Sequence, residues 1–248
     1  MCTVSIIALR SAGGAYRLVT NRDEQRTRAR GEAPTWRTLG GVRAIAPRDP
    51  NAGGTWVGTA ENGLSLCLLN GNLEPPPDLP VRPRSRGLLI GSLIGLGSAE
   101  RVIDGLARMD LSPFPPFRLV GAEPAADGPR LFDAFWNRES LVTTVDHRAP
   151  VCFVSSGLAD SMVAPRLPLF DEMVGRDPTV EAQDAFHRHA WAERPEISVL
   201  MSRGDAMTVS ITSVSVEPVS NGLPRVLVDH RAIRDSSSSP LASARDIG

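Results

Sequence analysis

Apolar and polar positions alternate along the first seventy residues in short runs bounded by glycine and asparagine. "CTVSIIALR" (residues 2–10) and "AYRLVTNRD" (15–23) are rich in β-branched and aromatic residues and are separated by "SAGG", which predicts a hairpin. "GGTWVGTA" (53–60) and "GLSLCLLN" (63–70) flank Glu61-Asn62, and Asn62-Gly63 supplies the turn signal for a second hairpin. These four runs are expected to share one antiparallel sheet. A proline-rich connection, "NLEPPPDLPVRP", follows, and residues 85 to about 109 read as one or two helices.

The second half repeats the alternation. "FRLVGAE", "RLFDAFW", "SLVTTVD" and "VCFVSS" read as strands, and residues 165–191 as mainly helical with a break near Gly175 to Pro178. "ISVLMSR", "TVSITSVSV" and "RVLVDHR" are expected to be three further strands. Residues 1–234 read as a single domain, and "DSSSSPLASARDIG" (235–248) as a disordered tail of low hydrophobicity. Strands, helices and strands in this order suggest an α+β fold with two antiparallel sheets facing each other between helices, a four-layer α/β/β/α sandwich. The order alone fits a looser α+β fold as well, and a catalytic residue at position 2, which must be held rigidly at a strand end, favours the sandwich.

Composition narrows the chemistry. A chain of 248 residues with 42% apolar residues can bury a sizeable core without staples. The balance of 27 basic and 28 acidic residues gives a net charge of -1, which leaves no electrostatic case for nucleic acid as a partner. All the basic residues are Arg, so Schiff-base chemistry and a Walker-type phosphate loop lack their Lys. Cys2, Cys67 and Cys152 form no C-x-x-C pair, which argues against a disulfide framework or structural zinc and fits a reducing cytoplasm. The first 25 residues do not make a signal peptide. The most apolar window, "RGLLIGSLIGLG", is well short of the roughly 20 residues a membrane span needs. Its Gly87, Gly91 and Gly95 fall on one helical face and favour close backbone packing.

Cys2 carries the sharpest chemical signal. With Met1 removed it holds both a thiol and a free α-amine, whose ordinary pKa values of about 8.5 and about 7.7–8.0 allow a proton to pass between them near neutrality. "NRDE" closes the second strand, and alternation places Asn21 and Asp23 on one face, Arg22 and Glu24 on the other. Either pair can be the one that faces Cys2, unless a bulge intervenes. Asn70 ends the apolar run "LSLCLLN", where a polar residue meets a pocket or forms a turn, and Trp56 either walls that pocket or fills the core.

"MC" at the start, "NRDE" (21–24), "GGTWVG" (53–58), "LLN" (68–70), "PRSRG" (83–87), "SSGLAD" (155–160) and "SRGDAMTVS" (202–210) together resemble the NRDE family, the transport and Golgi organization protein 2 family. That family in turn resembles the N-terminal nucleophile hydrolases, particularly the cysteine amidases that include penicillin V acylase, bile salt hydrolase and isopenicillin N acyltransferase. The resemblance implies Cys2 as nucleophile, Arg22 and Asp23 beside it, and Asn70 as an oxyanion donor. Asn21, Glu24, Trp56 and Arg203 are the candidate substrate contacts.

Two other constellations are weaker. His187 and His189 in "HRH" are spaced i, i+2 and do not share a helical face, so metal or haem ligation there is disfavoured. Ser156 lacks a G-x-S-x-G elbow. The expected function is hydrolysis of a small-molecule amide or thioester with no required cofactor. The alternative, drawn from the family's links to haem trafficking and acyl-lipid metabolism, is a carrier that binds haem or an acyl-CoA without turnover.

Overall fold

A computed structural model describes residues 2–10 and 13–233 of the chain; the expected tail lies outside the described residues. Strands β1 (Cys2–Ala8), β2 (Tyr16–Gln25), β10 (Val151–Ser155), β11 (Ala206–Glu217) and β12 (Arg225–Ala232) form a five-stranded antiparallel sheet in the order β10-β1-β2-β11-β12. Strands β3 (Glu32–Leu39), β4 (Val42–Arg48), β5 (Val57–Ala60), β6 (Ser65–Asn70), β7 (Phe117–Glu123), β8 (Arg130–Trp136) and β9 (Leu141–His147) form a seven-stranded sheet in sequence order. Helices α1 (Leu88–Leu93) and α2 (Ala99–Arg108) cover the larger sheet, and α3 (Arg166–Phe170) and α4 (Val180–His187) cover the smaller one. The expected α+β, four-layer α/β/β/α sandwich is the observed architecture.

Strand alternation builds its layers. Cys2, Val4 and Ile6 of β1, with Tyr16 and Leu18 of β2, face the other sheet and meet Trp56, Val57, Cys67, Leu69 and Val120 in the central core. Intervening positions face the helices: Ile7 packs with Phe170, Val174 and Phe186, while Thr3 and Ser5 bond to Arg166 and His187. The third core lies under α1 and α2, where Leu66 and Leu68 of β6 meet Leu89, Ile90 and Val102. Burying such apolar side chains stabilises the fold by about 1.5–3 kcal/mol each.

Three expectations about elements need correction. The first four predicted strands do not share a sheet: β1 and β2 lie in one, β5 and β6 in the other. Residues 32–48 form a hairpin the apolar pattern did not reveal, because β3 is an exposed edge strand without a clean buried face. Its turn uses Gly40 and Gly41 at φ +61° and +83°. Finally, "ISVLMSR" is not a strand. Its polar backbone is satisfied by other partners: Leu200 N–H donates to His189 O (2.9 Å), Met201 N–H to Thr208 Oγ1 (2.9 Å), and Val199 O accepts from Asn21 (2.8 Å).

The glycine face of α1 and the segment after it does pack against backbone, as expected. A Cβ on Gly95 would lie 1.8 Å from Gly40 O, and one on Gly54 would lie 2.5 Å from the Gly87 carbonyl carbon. Thr55 N–H also donates to Gly87 O at 3.0 Å. This close approach brings the residue before Gly87, Arg86, beside Trp56 at one end of the central layer.

Candidate active site

A cavity of about 300 Å³ opens at that end of the sandwich, between β1, β2 and the end of β6. Cys2, Arg22, Asp23, Glu24, Trp56 and Asn70 all line it, together with Arg28, Asp49 and Arg86. Residues separated by almost seventy positions meet there because Cys2 begins an inner strand of one sheet and Asn70 ends a central strand of the other.

Cys2 is 7% exposed and stands directly opposite Arg22 in the β1–β2 ladder. Alternation along β2 then decides which pair shares its face. Arg22 and Glu24 point to the cavity, whereas Asn21 and Asp23 point to the helical layer. Arg22 lies 4.3 Å above the Trp56 ring and pairs with Glu24 (3.2 Å) and Asp49 (3.7 Å). Arg28 closes the network through Asp49 at 2.7 Å and Glu24 at 3.4 Å. Burial pushes the Cys2 thiol up from its ordinary pKa and the negative charge of the Asp23 carboxylate adds to that, while the Arg22 guanidinium and the Asp23 backbone N–H favour the thiolate and only partly offset it.

Asp23 therefore contributes through its backbone N–H and through the position of its carboxylate. β1 runs antiparallel to β2 with Cys2 opposite Arg22, so the nitrogen of Cys2 lies on the Asp23 side of that pair. The carboxylate accepts from Thr208 Oγ1 at 2.6 Å and sits 3.8 Å from buried Arg166. Burial pushes the Asp23 carboxyl up, while Arg166 and Thr208 hold it down. A register shift in β11, between Thr208 and Ser210, falls opposite Arg22 and Asp23 and brings Thr208 to the carboxylate.

Asn70 presents its side chain to the cavity without a hydrogen bond to any described residue, while its carbonyl accepts from Ser155 Oγ at 2.6 Å. The neighbouring Asn72 is the structural one: its amide donates to Ser155 Oγ (3.1 Å) and Asp160 (3.2 Å). Asn70 and Cys2 line the same cavity, and the Asn70 amide has no partner among the described residues.

Two of the expected substrate contacts lie elsewhere. Asn21 is fully buried on the helical side, donating to His187 O (3.0 Å) and Val199 O (2.8 Å), because odd-numbered positions of β2 face the helices. Arg203 pairs with Asp205 at 2.6 Å in the turn before β11, and its carbonyl accepts from Arg26, so it does not line the cavity. Asn21 instead completes a relay that resembles a nucleophile triad, with His187 Nδ1 at 2.7 Å from Asn21 Oδ1 and His187 Nε2 at 2.7 Å from Ser5 Oγ. The Asn21 oxygen can only accept, so Nδ1 carries the proton and Ser5 donates to Nε2. Ser5 is completely buried, so the relay docks α4 onto the sheet. Burial, with Arg17 and Arg166 nearby, pushes the His187 pKa down to about 3. His189 packs on Trp191, and Ser156 accepts from Leu158 N–H in a turn.

Arg28, Asp49 and Arg86 line the cavity without having been singled out as site residues. The "PRSRG" motif contains Arg86, yet only the Gly87–Gly54 contact places it at the cavity.

Two antiparallel sheets packed face to face, with helices outside and Cys2 at the start of an inner strand, define the N-terminal-nucleophile-hydrolase-like fold. The Caenorhabditis elegans orthologue of N-acylethanolamine-hydrolyzing acid amidase shares it, at a TM-score of 0.55 and 12% identity, over 85% of this chain and 91% of that one. A mutant conjugated bile acid hydrolase from Clostridium perfringens superposes at a TM-score of 0.49 and 11% identity, over 95% and 97% of the two chains. The family profile described as "Transport and Golgi organisation 2" matches residues 1–165, and the chain belongs to that family. No curated protein matches the chain. Among the described residues no helix is long and apolar enough to cross a membrane.

Proposed function

We propose that this chain hydrolyses a small-molecule amide or thioester, with Cys2 as nucleophile once Met1 has been removed. The observation that carries the reading is the convergence of Cys2, Arg22, Asp23 and Asn70 on one cavity. The shared fold with an amidase is compatible with it. In the first step the α-amine of Cys2 takes the Sγ proton, and the thiolate attacks the substrate carbonyl carbon. The Asn70 amide donates to the oxyanion that forms, and Asp23 accepts from the α-ammonium. Collapse of the tetrahedral species expels the amine or thiol, which takes the proton back and leaves an acyl-thioester on Cys2. Water then attacks that thioester, with the α-amine as base, and releases the acid.

Within this scheme Arg22 lowers the cost of the thiolate from the cavity side. Glu24 and Asp49 hold the guanidinium, and Trp56 lies beneath it. The test is turnover of a panel of amides and acyl thioesters by mature protein, repeated with Cys2→Ala. Cys2-dependent turnover supports the reading. Haem or acyl-CoA binding that depends on Cys2, with no turnover of any member of the panel, overturns it in favour of a carrier.

A further inference from the structure

The charges around the cavity do not balance. Glu24 and Asp49 are matched by Arg22 and Arg28, and Asp23 is matched by Arg166 behind the sheet. Arg86 remains. Its Nη1 donates to Pro116 O at 2.8 Å, which fixes the guanidinium, but no carboxylate of the described residues lies within ion-pairing distance. It is half-buried in the cavity wall, where an uncompensated charge is costly unless something occupies the site. A second group points the same way: the indole of Trp56 is 7% exposed and lines the cavity, and its Nε1–H is buried with no acceptor. The wall is also poor in apolar surface. Among the described residues Trp56 and Leu68 are its only large apolar side chains, and about 300 Å³ is at the small end of ligand sites.

We infer that Arg86 is a specificity-determining residue that receives a carboxylate carried by the substrate, so that the protein acts on a small polar acid rather than a lipid amide. The inference names the substrate class for the reading proposed above and rests on it. A planar guanidinium with one nitrogen already anchored presents its remaining N–H groups as a fork that suits a carboxylate. Arg22 stands opposite Cys2 in the ladder and is the guanidinium that faces the thiol, which leaves Arg86 available to a ligand. The oxyanion has the Asn70 amide. Arg86 and Cys2 line the same cavity, so a carboxylate held by Arg86 shares the site with the thiol.

The inference is testable without turnover by alkylating Cys2 in mature protein with iodoacetate and iodoacetamide, from which the thiolate displaces iodide at an equivalent carbon and which differ in one carboxylate. Peptide mass mapping separates Cys2 from Cys67 and Cys152. The iodoacetate-to-iodoacetamide rate ratio at Cys2 should fall about tenfold in Arg86→Gln, an effect equivalent to about 1.4 kcal/mol. Arg86→Lys, which keeps the charge, should retain most of the ratio. Two results would overturn the inference: an unchanged ratio in Arg86→Gln, including an equal loss of both rates as expected if Arg86 acts on the thiolate, or no iodoacetate labelling of Cys2 at all. Absence of turnover on every amide and thioester, with the ratio still dependent on Arg86, would sink the hydrolase reading and leave the carboxylate site standing.

Discussion

Ser155 Oγ donates a 2.6 Å hydrogen bond to the carbonyl of Asn70, and Ser155 is itself the residue opposite Cys2 in the β10–β1 ladder. One buried hydroxyl therefore ties the sheet whose strand β1 begins at Cys2 to the sheet whose strand β6 ends at Asn70. Removing it should leave the fold intact and loosen the distance between nucleophile and oxyanion donor. Ser155→Ala is expected to lower kcat by between about tenfold and 10²-fold with little change in KM, since a misplacement near 1 Å is enough for such a loss. Steady-state kinetics on mature protein would show it; a rise in KM at constant kcat would contradict the positioning role.

Asn70→Ala removes the amide proposed as the oxyanion donor. Charge develops on the carbonyl oxygen only in the transition state, so the rate should drop by roughly 10²–10³-fold while substrate binding is nearly unchanged. Binding measured on Cys2→Ala and on Cys2→Ala combined with Asn70→Ala separates the two effects.

The pH dependence of activity should carry the signature of Asp23. Burial raises its pKa, so the carboxylate protonates above the ordinary range and can no longer hold the α-ammonium as pH falls. The acid limb of the pH–rate profile should lie above the usual carboxylate region and disappear in Asp23→Asn, which is also slower at neutral pH. An unaltered limb in Asp23→Asn would assign it to another group.

Stability should also depend on pH through His187. Its folded pKa of about 3 is below the ordinary 6.5, so in the window between them the unfolded chain binds the extra proton. The contribution of this residue is complete above about pH 6.5 and is lost as pH falls, by up to about 1.4 kcal/mol per unit. Denaturant melts from pH 8 to pH 4 should show a shallower slope for His187→Gln than for the parent.

Arg166 is buried between α3 and β1, donating to Thr3 Oγ1 (2.8 Å) and Ile197 O (3.0 Å) beside Asp23. Arg166→Met strips the buried carboxylate of its counter-charge and should destabilise the protein by about 3–5 kcal/mol. A chemical denaturation midpoint close to that of the parent would mean that Asp23 is neutral in the folded chain.

Much of the architecture was legible because inward-facing strands carry a strong period-two signal. β1, β2, β6 and β11 have continuous or alternating buried positions, and Asn62-Gly63 marks its turn, with Gly63 at φ +88°. The hairpin of β3 and β4 was not legible from hydrophobicity, since an edge strand needs only one partner and buries little. Its Gly40-Gly41 pair was the available signal. The pairing of strands into sheets was also out of reach, because β2 hydrogen-bonds to β11 almost two hundred positions away. At the candidate site the period of two correctly separated Arg22 and Glu24 from Asn21 and Asp23. It could not say which pair faced Cys2, a matter fixed by the register Cys2–Arg22. Arg86 was hidden because its place depends on a glycine contact between two loops.

The central claim is that Cys2 becomes acylated, and intact-mass measurement tests it most directly. Mature protein is mixed with an acyl thioester, quenched in acid within seconds and weighed beside Cys2→Ala. The expected result is a parent that lacks Met1 and gains the mass of one acyl group on the peptide containing Cys2, with no gain in the variant. A parent that retains Met1 when expressed in its native host, or that stays unacylated while binding haem through Cys2, would contradict the account.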